Sequence, residues 1–152
     1  MKDRYLFKAK RKNWQELPKD KQWVTGTIMY IENKCMMLIE DEENLLRVHY
    51  LDDEMWSADI YAIEVDELTI CQCTGLKDKN GKLIWENNIV RDKHGNFYKA
   101  FWQNNYYQFS WICVKSDVFP IGSKWDLWSF KSFEIEIVGN IFDNPELLES
   151  EG

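Results

Sequence analysis

Apolar and polar positions alternate with a period near two along most of this chain, the spacing of half-buried strands. In residues 22–31, Trp23, Thr25, Thr27 and Met29 fall on one side and Val24, Gly26, Ile28 and Tyr30 on the other, with β-branched residues prominent. Residues 35–40 are apolar on both sides, which predicts a central strand, and residues 5–9 form a shorter candidate. Residues 45–51 alternate again and make His49 a solvated strand residue. Residues 60–74 read as a long extended feed interrupted at Asp66-Glu67, with a helix as the alternative that Ala58, Ile60, Tyr61 and Ile63 leave open. Further on, Tyr107, Phe109, Trp111 and Cys113 share one face of a strand over 106–114, and residues 133–141 alternate Phe133, Ile135 and Ile137 with Glu134 and Glu136.

Polar punctuation sets the connections. Asn80-Gly81 predicts a two-residue type I′ hairpin turn, because both central positions of that turn need positive φ. Asp92-Lys93-His94-Gly95 repeats the Asp78-Lys79-Asn80-Gly81 pattern fourteen residues later and predicts a second hairpin, which also accounts for His94. Gln103-Asn104-Asn105 makes a third turn, and Glu32-Asn33-Lys34 joins the first long strands. Two copies of one turn are too few for a solenoid. The expected architecture is mainly β, all-β or α+β: an antiparallel meander whose C-terminal half has the strand lengths of an SH3-like barrel. Residues 116–132 are the least regular, and Asn144-Pro145-Glu146 predicts a short terminal helix ending near residue 150, with Asn144 as its N-cap.

Length predicts a single domain over residues 1–152, with lobes at 1–70 and 71–149. Eight Trp, seven Tyr and eight Phe add weight to the β-rich reading. No run of 18 apolar residues occurs and the first 20 residues are rich in charge, which predicts a cytoplasmic protein with neither a membrane span nor a signal peptide. Cys35, Cys71, Cys73 and Cys113 include no Cys-x-x-Cys pair and read as buried free thiols without a metal. Charge is uneven: residues 1–34 carry nine Lys or Arg against four acids, +5, and the other 118 carry ten against 22, −12, which sum to −7. Lys8, Lys10, Arg11 and Lys12 therefore form a basic arm on an acidic body, able to meet an acidic surface or phosphates.

Catalytic patterns are missing. There is no phosphate-binding glycine loop, no Gly-x-Ser-x-Gly and no His-Glu-x-x-His, and the chain has only His49 and His94. Asp52-Asp53-Glu54 lacks calcium-loop spacing and reads as a solvated loop. Binding has more support, since Trp102, Tyr106, Tyr107, Phe109 and Trp111 crowd one hairpin and Trp125 with Trp128 follow. These observations favour a cofactor-free protein that binds a protein partner or assembles with itself. Nucleic-acid binding through the basic arm is the alternative, and the net negative charge disfavours it.

Three separated blocks carry a resemblance. They are Thr74-Gly75-Leu76-x-Asp78-x-Asn80-Gly81, then Ile84-x-Glu86-x-x-Ile89-Val90, then residues 137–148 with Gly139, Asn140 and Pro145. In this order they resemble the YopX family, small proteins of phages and prophages in Gram-positive bacteria. Glu86-Asn87-Asn88-Ile89-Val90 stands where that family typically has Glu-Gly-Asp-Ile-Val. The resemblance implies a fold, a bacterial host and a host or phage protein as partner. It implies no chemistry.

Overall fold

The computed structural model describes residues 2–39, 47–52, 55–59 and 62–148. Among these the protein is mainly β, and its helical residues are confined to single 3-10 turns of three or four residues. Residues 41–44, between the strands expected over 35–40 and 45–51, and the acids Asp53 and Glu54 lie outside the described set. The chain divides into two compact units, residues 5–70 and residues 71–152 joined by 1–4.

In the first unit, β1 (Phe7–Lys10), β2 (Trp23–Ile31), β3 (Lys34–Leu38) and β6 (Ala62–Glu64) pair antiparallel in the order β1-β2-β3-β6. The doubly apolar β3 lies between two strands, as its composition requires. Glu32 and Asn33 have φ of 49° and 66°, and Ile31 pairs with Lys34, so this two-residue loop has the positive angles of a type I′ turn. Ala9, Val24, Cys35, Met37 and Val65 form the core, covered by Phe7, Ile28, Ile39, Ile63 and Ile70. β4 (Arg47–Asp52) and β5 (Met55–Asp59) pair with each other as a separate ribbon that opposes Val48 to Ala58 and Tyr50 to Trp56. His49 belongs to β4, as expected of a strand residue.

Gly26 is fixed by space rather than by its backbone angles. A Cβ there would overlap the Leu38 carbonyl oxygen and come within 2.9 Å of the Leu38 carbonyl carbon. Since backbone on a paired strand cannot swing aside as a flexible side chain can, Gly26→Ala should destabilise the unit by about 2 to 3 kcal/mol. Urea titration checks this, and a change under about 0.5 kcal/mol would refute the close approach of β2 and β3.

The second unit contains the hairpin of β7 (Cys71–Lys77) with β8 (Leu83–Trp85). It also holds a five-stranded antiparallel sheet of β9 (Asn88–Asp92), β10 (Phe97–Gln103), β11 (Gln108–Lys115), β12 (Lys124–Asp126) and β13 (Ile135–Asn140). Its order is β12-β11-β10-β9-β13, a meander completed by the last strand. The core joins Ile84, Val90, Tyr98, Ala100, Trp111, Cys113 and Ile135, with Trp125, Leu127 and Phe130 packed against them. Ala100 lies opposite Trp111 across β10 and β11, a small residue making room for the largest one.

The Asn80-Gly81 turn is not type I′. Only Gly81 has positive φ, at 78°, and the loop closes through Gly81 N–H to the Asp78 carbonyl (3.0 Å) and Asp78 N–H to Lys82 O (2.9 Å). The reason is Asp78, whose Oδ1 accepts from the N–H groups of Asn80 (2.9 Å) and Lys82 (3.0 Å) and so keeps Asn80 from the positive φ of a type I′ turn. Asp92 builds the same loop, with Oδ1 accepting from His94 N–H (2.8 Å) and Asn96 N–H (3.0 Å) and Gly95 at φ 82°. The repeat seen in the sequence is thus a repeated aspartate-stabilised loop.

At the C-terminus, Pro145–Leu148 makes one 3-10 turn. Asn144 does not act as its forward cap. Its Oδ1 turns back to accept from Asn140 N–H (3.2 Å), and the extended Gly139 admits this because a Cβ there would lie 2.7 Å from Asn144 Cγ.

A candidate binding groove at the β10–β11 hairpin

The residues that resemble the family blocks form a clasp. Asp78 Oδ2 accepts from Ile137 N–H (3.0 Å) and Lys79 N–H donates to Ile135 O (2.9 Å), so the first block holds the third. Ile141 N–H donates to Asn87 O (3.1 Å), which joins the second block to the third. Thr74 Oγ donates to Ile84 O (2.7 Å) and accepts from Leu76 N–H (3.2 Å), while Gly75 has φ of 82°. Asn80 Nδ2 reaches Glu136 (3.5 Å), and Asn140 Oδ1 accepts from Phe142 and Asp143 N–H at 2.9 and 3.0 Å. Asn87 has φ of 68°, a conformation that glycine also adopts freely, and Asn88 Oδ1 accepts from Trp85 N–H (2.8 Å), as an aspartate oxygen can. The two departures from the family pattern therefore keep the local geometry.

Burial separates the five aromatic candidates. Trp111 is fully enclosed and its indole N–H donates to Leu127 O (3.1 Å), so the expectation that it contributes to a binding surface is wrong: the core face of β11 takes it. Phe109 is half-buried against Trp102, ring centroids 5.0 Å apart and nearly perpendicular. Trp102, Tyr106 and Tyr107 remain open to solvent, at 39%, 68% and 82% exposure. The turn between β10 and β11 spans residues 104–107 and ends two positions later than the polar run 103–105 suggested, so both tyrosines belong to it. Trp128, 79% exposed, joins them from the 3-10 turn Leu127–Ser129 that Trp111 anchors from below.

Trp102, Tyr107, Phe109, Leu127 and Trp128 wall an open cleft of about 370 Å³ floored by Gln72, Cys73 and Thr74. Gln108 links it to a second hollow of about 320 Å³ lined by Gln103, Tyr106, Trp125 and Asp126. Two hydrogen bonds tie polar groups of this second hollow: Gln108 Nε2 donates to Asp126 (2.7 Å), and Ser110 Oγ, next to it, donates to Gln103 Oε1 (2.9 Å). The indole N–H groups of Trp102 and Trp128 and the hydroxyls of Tyr106 and Tyr107 have no hydrogen-bond partner among the described residues. Trp128 is the residue that strand periodicity could not single out, because it lies in an irregular stretch.

Tyr107 has φ of 52°, a conformation that costs a bulky residue roughly 1 kcal/mol or more. Tyr107→Gly should therefore raise stability by about 0.5 to 1 kcal/mol while emptying one wall of the cleft. A thermal melt reads the first effect, and a loss of stability would refute the strain.

Glu136 accepts from Lys79 (2.9 Å) and Arg91 (3.2 Å), and these hydrogen bonds hold its carboxyl below the usual range. In the basic arm, Lys10 is buried, donates to Gln22 Oε1 (3.1 Å) and lies 4.0 Å from the Trp14 ring centre. Lys8 lies over Trp23 at 4.7 Å and Arg11 Nε donates to Lys21 O (3.1 Å), so three of the four cations proposed to meet phosphates are engaged within the chain. The four cysteines are buried, and no disulfide joins any of them among the described residues. No group of three or more His, Cys, Asp or Glu among the described residues is placed to hold a metal ion. No described helix is long and apolar enough to cross a membrane.

Comparison with known proteins places these features. The family model described as YopX protein matches residues 14–149. The crystal structure of protein EF1440 from Enterococcus faecalis is similar in fold, with a TM-score of 0.50 and 21% identity over 95% of this chain and 97% of that one. No curated protein matches the chain.

Proposed function

Because the chain belongs to the YopX protein family, we propose that it is a phage or prophage accessory protein that works by binding another protein, without catalysis, in the cytoplasm of its bacterial host. The observation that supports this reading is the group of exposed aromatic side chains at the β10–β11 hairpin, Trp102, Tyr107 and Trp128 around the cleft and Tyr106 in the adjoining hollow. Aromatic residues gathered in one open hollow are the usual energetic centre of a protein interface. Self-assembly through the same surface belongs to this reading. The alternative, phosphate contacts by the basic arm, loses support from the burial of Lys10 and the engagement of Arg11.

The test is affinity capture from a nuclease-treated lysate of a Gram-positive host, comparing the native chain with a Tyr107→Ala, Trp128→Ala double variant, with light scattering on each eluate. The expected result is a stoichiometric protein, or a defined oligomer, present with the native chain and lost with the variant. Capture unaffected by the variant would overturn the role of the cleft. Recovery of nucleic acid alone would overturn protein binding.

A further inference from the structure

Asn80-Gly81 is the only Asn-Gly pair in the chain, and both residues are exposed to solvent. Such a pair is chemically labile, because glycine has no Cβ to crowd the approach of its backbone nitrogen to the preceding side-chain amide. The reaction is a hydrolysis with water as the co-reactant. The Gly81 nitrogen gives up its proton and attacks Asn80 Cγ, so that an N–Cγ bond forms, the Cγ–Nδ2 bond breaks and ammonia leaves with a proton. Water then opens the succinimide ring at either carbonyl. Opening at Cγ leaves aspartate. Opening at the main-chain carbonyl leaves isoaspartate, whose backbone runs through Cγ and is longer by one atom.

The folded loop holds each reacting group away from this chemistry. Gly81 N–H, the nucleophile, donates to Asp78 O (3.0 Å). Asp78 Oδ1 accepts from the N–H groups of Asn80 (2.9 Å) and Lys82 (3.0 Å), which fastens the Asn80-Gly81 peptide on both sides against the rotation that attack requires. Asp78 is itself buried and tied to β13 through Ile137 N–H. Asn80 Nδ2, on the leaving group, reaches Glu136 (3.5 Å). Asn80 and Gly81 stay wet, so hydrogen bonds rather than burial restrain the pair. The loop around Asp92 repeats these bonds with His94 in the place of the asparagine and has no amide to lose there.

We infer that Asn80 is a spontaneous modification site gated by its own clasp: the amide is hydrolysed when the Asp78 loop opens, and the product keeps the loop from closing again. Isoaspartate puts an extra main-chain atom into a loop closed by Gly81 N–H to Asp78 O and Asp78 N–H to Lys82 O. Either product replaces a donor to Glu136 with a second carboxylate. A transient opening of the joint between the β7–β8 hairpin and β13 thereby becomes permanent, at a rate set by how often that joint opens.

The test incubates the full chain in mildly alkaline buffer, folded and in guanidinium chloride, and follows the peptide containing Asn80 by mass spectrometry. Conversion should be at least ~10-fold slower in the folded chain than in denaturant, and at least ~10-fold faster in Asp78→Ala than in the unsubstituted chain in buffer alone. Circular dichroism accompanies the rates, because Asp78→Ala also costs stability. His94→Asn, at an exposed position, puts an Asn-Gly pair into the Asp92 loop, where folding should protect the new amide by the same ~10-fold or more; it decides the matter if Asp78→Ala is unfolded. The modified chain, separated by its added negative charge, should melt about 5 °C or more below the unmodified one. Equal rates in buffer and denaturant, a folded Asp78→Ala that converts no faster, an unprotected amide in His94→Asn, or an unchanged melting point of the modified chain would each overturn the inference.

Discussion

Trp111→Ala should destabilise the C-terminal unit by about 4 kcal/mol, the range for removing a large aromatic residue from a packed core. The indole is enclosed among Tyr98, Ala100, Cys113 and Ile135, and its N–H fastens the turn that carries Trp128. Loss of the ring leaves a cavity and frees the Leu127 carbonyl, so Trp128 should lose its fixed position as well. Trp128→Ala, by contrast, should shift stability by no more than about 0.5 kcal/mol, because its side chain is largely in solvent. Urea titrations followed by far-UV circular dichroism compare the two. Equal midpoints would mean that the division between the core tryptophan and the binding tryptophan is misplaced.

Replacement of Asp78 by alanine should have the second largest effect, about 3 kcal/mol, since its carboxylate accepts three backbone N–H groups and two of these define the loop. The third, from Ile137, is the bond that ties the β7–β8 hairpin to β13. Acid should weaken the native protein through the same group. Burial pushes the Asp78 carboxyl up, but the bonds from Ile137, Lys82 and Asn80 outweigh this and hold it below the usual range. Asp92 behaves alike, with burial opposed by bonds from Asn96, His94 and Tyr98. A carboxyl whose folded pKa lies below its unfolded value of about 3.9 contributes its full stabilisation above that value and loses it as pH falls through the folded pKa. Stability measured from pH 7 downward should hold nearly level from this source until about pH 4 and then drop. The Asp78→Ala curve should start lower and fall less steeply. An acid limb as steep as that of the native chain would refute the role given to Asp78.

The strands were legible wherever one face is buried and the other wet, since that arrangement writes a period of two into β2, β11 and β13. Asp92-Lys93-His94-Gly95 was rightly read as a hairpin because the loop carries its own stabilising chemistry within five residues. The conformation of Asn80-Gly81 was misread because Asp78, two residues earlier, settles it, and dipeptide preferences do not register a side chain reaching forward. Asn144 was misread for the converse reason: its amide turns back to Asn140, across a glycine whose missing Cβ makes the space. The aromatic site was half legible. Composition located it on the right hairpin, but alternation puts Phe109, Trp111 and Cys113 on one face without showing where the core ends along that face. That boundary depends on the turn of residues 127–129, which holds Trp128 outward while closing over Trp111.

The four enclosed thiols bring a practical consequence. Cys35 belongs to the first unit, and Cys71, Cys73 and Cys113 to the second. Burial pushes the thiols of Cys35 and Cys113 up, which makes them poor nucleophiles while their surroundings stay closed. An alkylating reagent added to the native protein can therefore react only as fast as each unit opens, and the mass of the labelled peptides tells which one opened. The chain thus carries its own pair of clocks for the breathing of its two halves.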